Sequence, residues 1–204
     1  MSGPPPSTRE RLLLAAQELI EEGGYSAASV LAIAGRAGVA AGTLYRHFSS
    51  KEELFVELFR SVCDREVEAM REAAADLPAD AGHVGHLVTV LQTFAARALS
   101  RPRLAWALLA EPVDPLVDAE RLAYRERYRA MAARILAAGI AAGELPEQDP
   151  DLTAAALIGA CGEALVGPLS PVNPSRPETA AVLEALRTFV LRAVGAAEAF
   201  STSR

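Results

Sequence analysis

The sequence has few of the residues on which covalently stapled or membrane-spanning proteins depend. Only two cysteines, Cys63 and Cys161, occur in 204 residues. They lie far apart in helical patterns, which argues for reduced, packed thiols in a cytosolic protein. Hydrophobic residues make up 51% of the chain, yet no run of 18 apolar residues appears, so no membrane span is expected. The opening MSGPPPSTRE lacks the basic and apolar regions of a signal peptide. Lysine is nearly absent: Lys51 stands alone beside nineteen arginines, and no function attaches to that bias. Neither strand alternation nor an internal repeat is visible. What remains is helix.

The formal charge is −6, opposite in sign to the basic balance that nucleic-acid binding favours. Its distribution is uneven. Residues 1–51 hold five basic and four acidic side chains, whereas residues 144–204 hold four and eight. Any DNA-facing surface must therefore be locally basic on a molecule that is acidic elsewhere.

Helix signals punctuate the chain. Residues 1–6 read as a disordered leader, and Ser7-Thr8-Arg9-Glu10 is a capping box opening a helix that Gly23-Gly24 ends. Ser50-Lys51-Glu52-Glu53 repeats the box and starts a helix to about Ala75. Further helices are expected over His83–Leu99, Arg103–Ala110, Leu116–Ala142 and from Asp149-Pro150 to about Val166. GPLSPVNPSRP, residues 167–177, has too many prolines to be regular. A last helix should begin near Glu178, capped from Ser175, with residues 199–204 fraying.

The stretch that organises the chain is Ser29 to Phe48, SVLAIAGRAGVAAGTLYRHF. Val30, Ile33, Ala34 and Ala37 share one helical face behind Ser29 as N-cap. Gly38 supplies the positive φ of a tight stop, and Val39 plugs the turn. In the second helix Leu44 and Phe48 face inward, leaving Thr43, Tyr45, Arg46 and His47 outside. That is a helix-turn-helix whose outer residues suit phosphates and base edges in a major groove. Gly35 sits oddly within its first helix, costing about 1 kcal/mol relative to alanine, with close helix approach the one account available.

Taken in order, TRERLLLAAQELIEEGGY, IAGRAGV, GTLYRHF and SKEELF make Thr8 to Arg60 resemble the DNA-binding domain of the tetracycline-repressor (TetR) family of bacterial transcriptional regulators. The resemblance implies an all-α protein of about nine helices. A three-helix DNA-binding domain over residues 7–60 would precede a helical effector-binding and dimerisation domain over residues 61–199. It implies that Ser29, Thr43, Tyr45, His47 and Lys51 hold phosphates, while Ala40, Ala41, Gly42 and Arg46 meet base edges. Ala40-Ala41 replaces a pair often polar or basic in the family; alanine contacts a thymine methyl but donates no hydrogen bond, which leaves much direct readout to Arg46.

The family also implies a homodimer on a palindromic operator in double-stranded DNA, released by a small-molecule effector. The last two helices are the expected dimer interface, through Ala155, Gly159, Gly162 and Leu165 and the stripe Val182, Leu186, Phe189, Val190 and Ala193. The effector should lie among the middle helices, where Phe94, Trp106, Tyr124, Tyr128, Met131 and Glu163 are candidates for a mainly apolar, aromatic or polycyclic molecule. Arg125 and Arg134, which an anion would need, fall nearer the surface by periodicity. Arg121, Arg125 and Arg129 form a row that reads as a solvated face, or alternatively as an anion or acidic-partner site.

His83 and His86 share a face but lack a third ligand, so they read as solvated and no metal or cofactor is expected. No nucleophile–base signature or phosphate loop supports an enzyme. An enzyme on a helical scaffold would need clustered titratable residues in the C-terminal domain. An interaction protein with a silent helix-turn-helix would favour an acidic recognition face, and none is seen.

Overall fold

The computed structural model describes residues 5–78, 80–173 and 177–196. Among them the chain forms nine α-helices and no strand: α1 (Thr8–Gly23), α2 (Val30–Arg36), α3 (Ala41–His47), α4 (Lys51–Ala75), α5 (Gly82–Ser100), α6 (Pro102–Leu109), α7 (Pro115–Ala141), α8 (Pro150–Leu169) and α9 (Thr179–Ala193). A single 3₁₀ turn, Tyr25–Ala27, joins α1 to α2.

Local chemistry sets the ends. The Ser7 hydroxyl accepts the Glu10 N–H at 3.2 Å and the Glu10 carboxylate accepts the Ser7 N–H at 2.7 Å, which also holds the Glu10 pKa down. The second box differs from expectation. Ser50 caps Glu53 at 3.1 Å, but the Glu53 carboxylate turns back to the Ser49 N–H and hydroxyl rather than to Ser50. Asp114 and Asp149 cap α7 and α8 ahead of the prolines that open them. The helix expected to stop near Val166 runs on to Leu169, through Pro168. Leu169 is 1% exposed, so burial holds the last turn despite the missing proline N–H. The cap expected from Ser175 and the fraying of residues 199–204 lie outside the described residues.

Two large cores follow. α1, α2, α3 and the first half of α4 bury Leu12, Ala16, Ile33, Leu44, Phe48, Leu54 and Phe55 in one cluster, which Leu104 of α6 and Tyr124 of α7 join. A second cluster, with Leu87, Leu136, Leu157, Leu165 and Val190, binds α5 to α9. Between them Val67, Met70, Val90 and Met131 pack α4 on α5 and α7. α4, about 37 Å long at 1.5 Å per residue, belongs to both halves.

Polar ties reinforce the junction. The Tyr25 N–H donates to both oxygens of Glu111 at 3.2 Å, Arg65 donates to Gln17 at 2.9 Å, and Arg101 pairs with Glu21. α8 is long and apolar enough to cross a bilayer, although only 28% of its apolar window is buried within the chain.

Candidate DNA interface and effector cavity

The helix-turn-helix is held from behind. Gly38 has φ 68°, as the tight turn requires, and Ala37 accepts two bonds from the Arg11 guanidinium, at 3.2 and 2.8 Å. The Ser29 hydroxyl caps α2 on the Ala32 N–H at 3.2 Å. Leu44 and Phe48 are 0% and 1% exposed. Arg9 fastens the far end of α3: it donates to the His47 carbonyl at 2.6 Å, chelates Glu57, and stacks 4.3 Å from the Phe48 ring centroid. Sequence reading missed Arg9 and Arg11. Their partners lie 26 to 48 residues away, beyond any helical spacing rule.

With that frame fixed, the outward set is in place. Tyr45 is 56% exposed, and Arg46 is exposed with one weak tie, to the Thr43 hydroxyl at 3.3 Å. His47 and Ala41 are half-buried, and Ala40 and Gly42 are exposed. The Lys51 ammonium stands 5.1 Å from the ring centroids of both Tyr25 and Phe55, which lie 4.3 Å apart. Those rings aim the one lysine while leaving its donors for an anion. Burial, first of all, pushes the Tyr25 pKa up to about 12, so that ring stays neutral. Arg36, by contrast, is committed to Glu22 at 2.8 Å and Glu18 at 3.2 Å.

A Cβ built on Gly35 meets nothing within 4 Å, so close helix approach within the chain does not explain this glycine. Gly35→Ala is therefore expected to stabilise the protein by about 1 kcal/mol. Thermal melting should rise by roughly 2–4 °C. A fall in Tm would mean that the backbone at residue 35 needs glycine for another reason.

In the C-terminal half, two adjoining cavities open among α4, α5, α6, α7 and α8. The smaller one, of about 70 Å³, has walls from Phe59, Val62, Leu104 and Leu108. The larger cleft, of about 490 Å³, has walls from Met70, Val90, Ile158 and Val166. Phe94, Leu109, Arg125 and Tyr128 line both. Phe94, Tyr124, Tyr128, Met131 and Glu163 thus reach one cavity or both. Trp106 reaches neither; it packs against the core that unites α5 to α9, because its face of the short α6 turns that way.

The expected polar handles are largely engaged. The Tyr124 hydroxyl donates to Asp64 at 2.8 Å and to the Arg60 carbonyl at 3.2 Å, and burial lifts its pKa to about 12. Burial raises the Cys63 thiol to about 12 and pushes the neighbouring Tyr128 hydroxyl up as well. Cys161, at the larger cleft, is likewise raised to about 11, so both thiols stay protonated near neutral pH.

Two further expectations change. The arginine row is not one solvated face. Arg121 is drawn in against α6, where it donates to the carbonyls of Leu108 and Ala107 at 2.7 Å and of Glu111 at 2.6 Å. Arg125 is exposed, as periodicity places it, and it also lines both cavities. His83 and His86 are partnered, His83 with Glu144 at 2.8 Å and His86 with the Gly82 carbonyl at 2.6 Å. No metal-ligating cluster occurs among the described residues.

The faces of the last helices also divide differently. Ala155, Gly159 and Gly162 line the larger cleft, while Leu165 is 0% exposed in the core. Leu186 and Val190 are buried within the chain, whereas Phe189 is 41% exposed on a face with Ala181, Ala185 and Ala193. Helical period explains the split: the expected stripes straddled two faces, one turned inward and one outward.

The geometry defines a helix-turn-helix protein with an all-helical C-terminal half around a cavity. Residues 12–58 match the model of the tetR family of bacterial regulatory proteins. It is 45% identical over 65 residues to the HTH-type transcriptional activator FasR of Mycolicibacterium smegmatis, covering 32% of this chain and 30% of that one. The chain spans about a third to a half of the length of the curated relatives it matches. In fold it is similar to the fatty acid degradation regulator FadR from Bacillus halodurans (TM-score 0.77, 21% identity, 93% of this chain and 97% of that one). It is also similar to the transcriptional regulator FadR from Bacillus subtilis in complex with stearoyl-CoA (TM-score 0.76, 23% identity, 90% and 98%).

Proposed function

We propose that the protein is a cytoplasmic transcriptional repressor that binds a palindromic operator as a homodimer and releases it when a small, largely apolar effector enters the C-terminal cavities. Residues 7–60 act as the DNA-binding domain and residues 61–199 as the effector-binding and dimerisation domain. The observation that carries this reading is the exposed set on α3 together with the Lys51 ammonium, standing off a core in which Leu44 and Phe48 are buried. Tyr45, Thr43, His47, Ser29 and Lys51 take phosphates; Arg46 and the Ala40–Gly42 stretch meet base edges.

Dimerisation uses the outward faces of α8 and α9. Ala160, Ala164 and Pro168 of α8 form a groove with Ala185 and Phe189 of α9. Small residues there admit a second pair of helices, giving a four-helix bundle about a two-fold axis. The same arrangement accounts for the apolar character of α8 without a bilayer. Coupling runs through α6, whose Leu104 and Leu108 line the smaller cavity while Leu104 also belongs to the core around α1. An effector that prefers a displaced α6 would favour an arrangement in which paired recognition helices no longer fit adjacent major grooves. The likeness to a FadR bound to stearoyl-CoA supports an effector with a long apolar portion.

The test is titration of DNA fragments flanking its own gene, at several salt concentrations. Affinity should fall steeply as salt rises, through counterion release. Lys51→Ala or Tyr45→Ala should weaken binding to every sequence by about tenfold, and Arg46→Ala should relax base preference at one position by about 1–3 kcal/mol. Unchanged binding in the Lys51 and Tyr45 variants would remove the DNA-contact assignment.

A further inference from the structure

Two rings flank the Lys51 ammonium, each with its centroid 5.1 Å away, and they are held in different ways. Phe55 is 2% exposed and fixed within α4. Tyr25 instead opens the three-residue 3₁₀ turn between α1 and α2. So short a turn has little stability of its own. Gly24, its N-cap, has no side chain to accept the Tyr25 N–H. That donor is answered from 86 residues along the chain, by both carboxylate oxygens of Glu111 at 3.2 Å.

Glu111 lies in the connector between α6 and α7, and its main chain is fixed as well. Its N–H donates to the Trp106 carbonyl at 3.0 Å, and its own carbonyl accepts from Arg121 at 2.6 Å. Leu108 and Val113, before and after it, pack against the core of the N-terminal half, as Tyr25 does. The fit is close: a Cβ at Gly24 would collide with the Glu111 carboxylate and the Arg103 guanidinium. A series of contacts thus runs from α7 through Arg121 and Glu111 to Tyr25 and Lys51.

We infer that Glu111 is a positioning residue for DNA binding: it docks the Tyr25 turn onto the C-terminal half, and the Tyr25 ring in turn aims Lys51 at a phosphate. The inference rests on the reading of Lys51 as a phosphate contact and adds to it a residue outside the helix-turn-helix. Charge alone argues the other way. Removing a carboxylate from a chain of formal charge −6 should strengthen binding to a polyanion, whereas loss of a positioning contact should weaken it. The sign of the effect separates the two.

Lys51 is the one lysine in the chain, so full-length protein grown with isotopically labelled lysine gives a single set of side-chain signals by NMR. The two rings shield the methylene next to the ammonium, and Glu111→Ala should move that signal toward its position in an unstructured peptide. In parallel, Glu111→Ala should weaken binding to DNA fragments flanking the gene by about threefold to tenfold, and lower the salt slope by up to about 0.9. In a Lys51→Ala background the same substitution should cost nothing further. Glu111→Gln keeps an acceptor for the Tyr25 N–H and should retain most of the affinity and the shielded signal. Melting curves check the fold. Where alanine costs the fold, Glu111→Asp, one methylene short, should move both readouts the same way by less. An unmoved lysine signal overturns the inference, as does operator affinity unchanged or raised in Glu111→Ala while Lys51→Ala weakens it. Additive losses in the double variant would make Glu111 a general support of the fold and overturn it too. Normal binding by Lys51→Ala would remove the phosphate reading, and this inference with it.

Discussion

Phe189→Asp is expected to leave a folded monomer whose operator affinity has fallen by about a hundredfold or more. Phe189 is 41% exposed on α9, among Ala181, Ala185 and Ala193, so the fold of one chain draws little from it. In a two-fold interface the same ring is buried twice. Each burial contributes about 1.5–3 kcal/mol, enough to decide whether two acidic chains stay together. An aspartate there also faces the like charge of its symmetry mate, adding repulsion to the loss of apolar contact. Losing the second recognition helix removes the advantage of linked half-sites, about two to four orders of magnitude in affinity. Analytical ultracentrifugation at micromolar concentration and an operator titration measure both. A dimer that survives the substitution with unchanged affinity would place the interface elsewhere. A monomeric wild-type protein would end the homodimer reading altogether.

Arg121→Met is expected to lower thermal stability by roughly 6–12 °C. The guanidinium answers the carbonyls of Ala107, Leu108 and Glu111 at the end of α6, where helical geometry leaves acceptors without intrahelical donors. Its side chain is 11% exposed, and burial, the largest influence, lowers its pKa. Methionine keeps the apolar stem but removes every donor. Stranding buried carbonyls costs about 1–3 kcal/mol each, and water entering the gap recovers part of it, so a net loss of about 3 kcal/mol is expected. Lysine at the same position should recover only a fraction, since one ammonium cannot span three acceptors with the geometry of a planar fork. Calorimetric melting of the three proteins decides the matter. A Tm for Arg121→Met within 1 °C or so of wild type would show that α6 does not depend on this clamp.

Both experiments concern features that differ in how far the sequence discloses them. Helix starts were plain because capping is local: Ser7, Ser29, Asp114 and Asp149 each bond an N–H two or three residues ahead, and spacing alone exposes the pairing. The helix-turn-helix was equally legible. Gly38 punctuates two short apolar periods, and the inward Leu44 and Phe48 dictate which side chains remain outside. Where expectation failed, the missing information was non-local. Glu53 turned to Ser49 instead of Ser50 because its carboxylate found two donors there. α8 continued past Val166 because the core has room for Leu169.

By itself, then, the amino-acid order determined the all-helical class, the helix beginnings, the outward face of the helix-turn-helix and the family model that the N-terminal stretch matches. Those follow from periodicity, capping and turn chemistry, whose reach is three to four residues. Only the tertiary structure decided the fates of the three arginines spaced along α7. Arg121 is drawn in against the end of α6, Arg125 stands at the meeting of two cavities, and Arg129 is left with an idle Nε. It likewise turned Trp106 away from the cavities and set Phe189 apart from Leu186 and Val190. A helical period assigns residues to faces, but what each face meets depends on neighbours tens of residues distant. Burial and the need to satisfy polar groups settle that only once the helices pack.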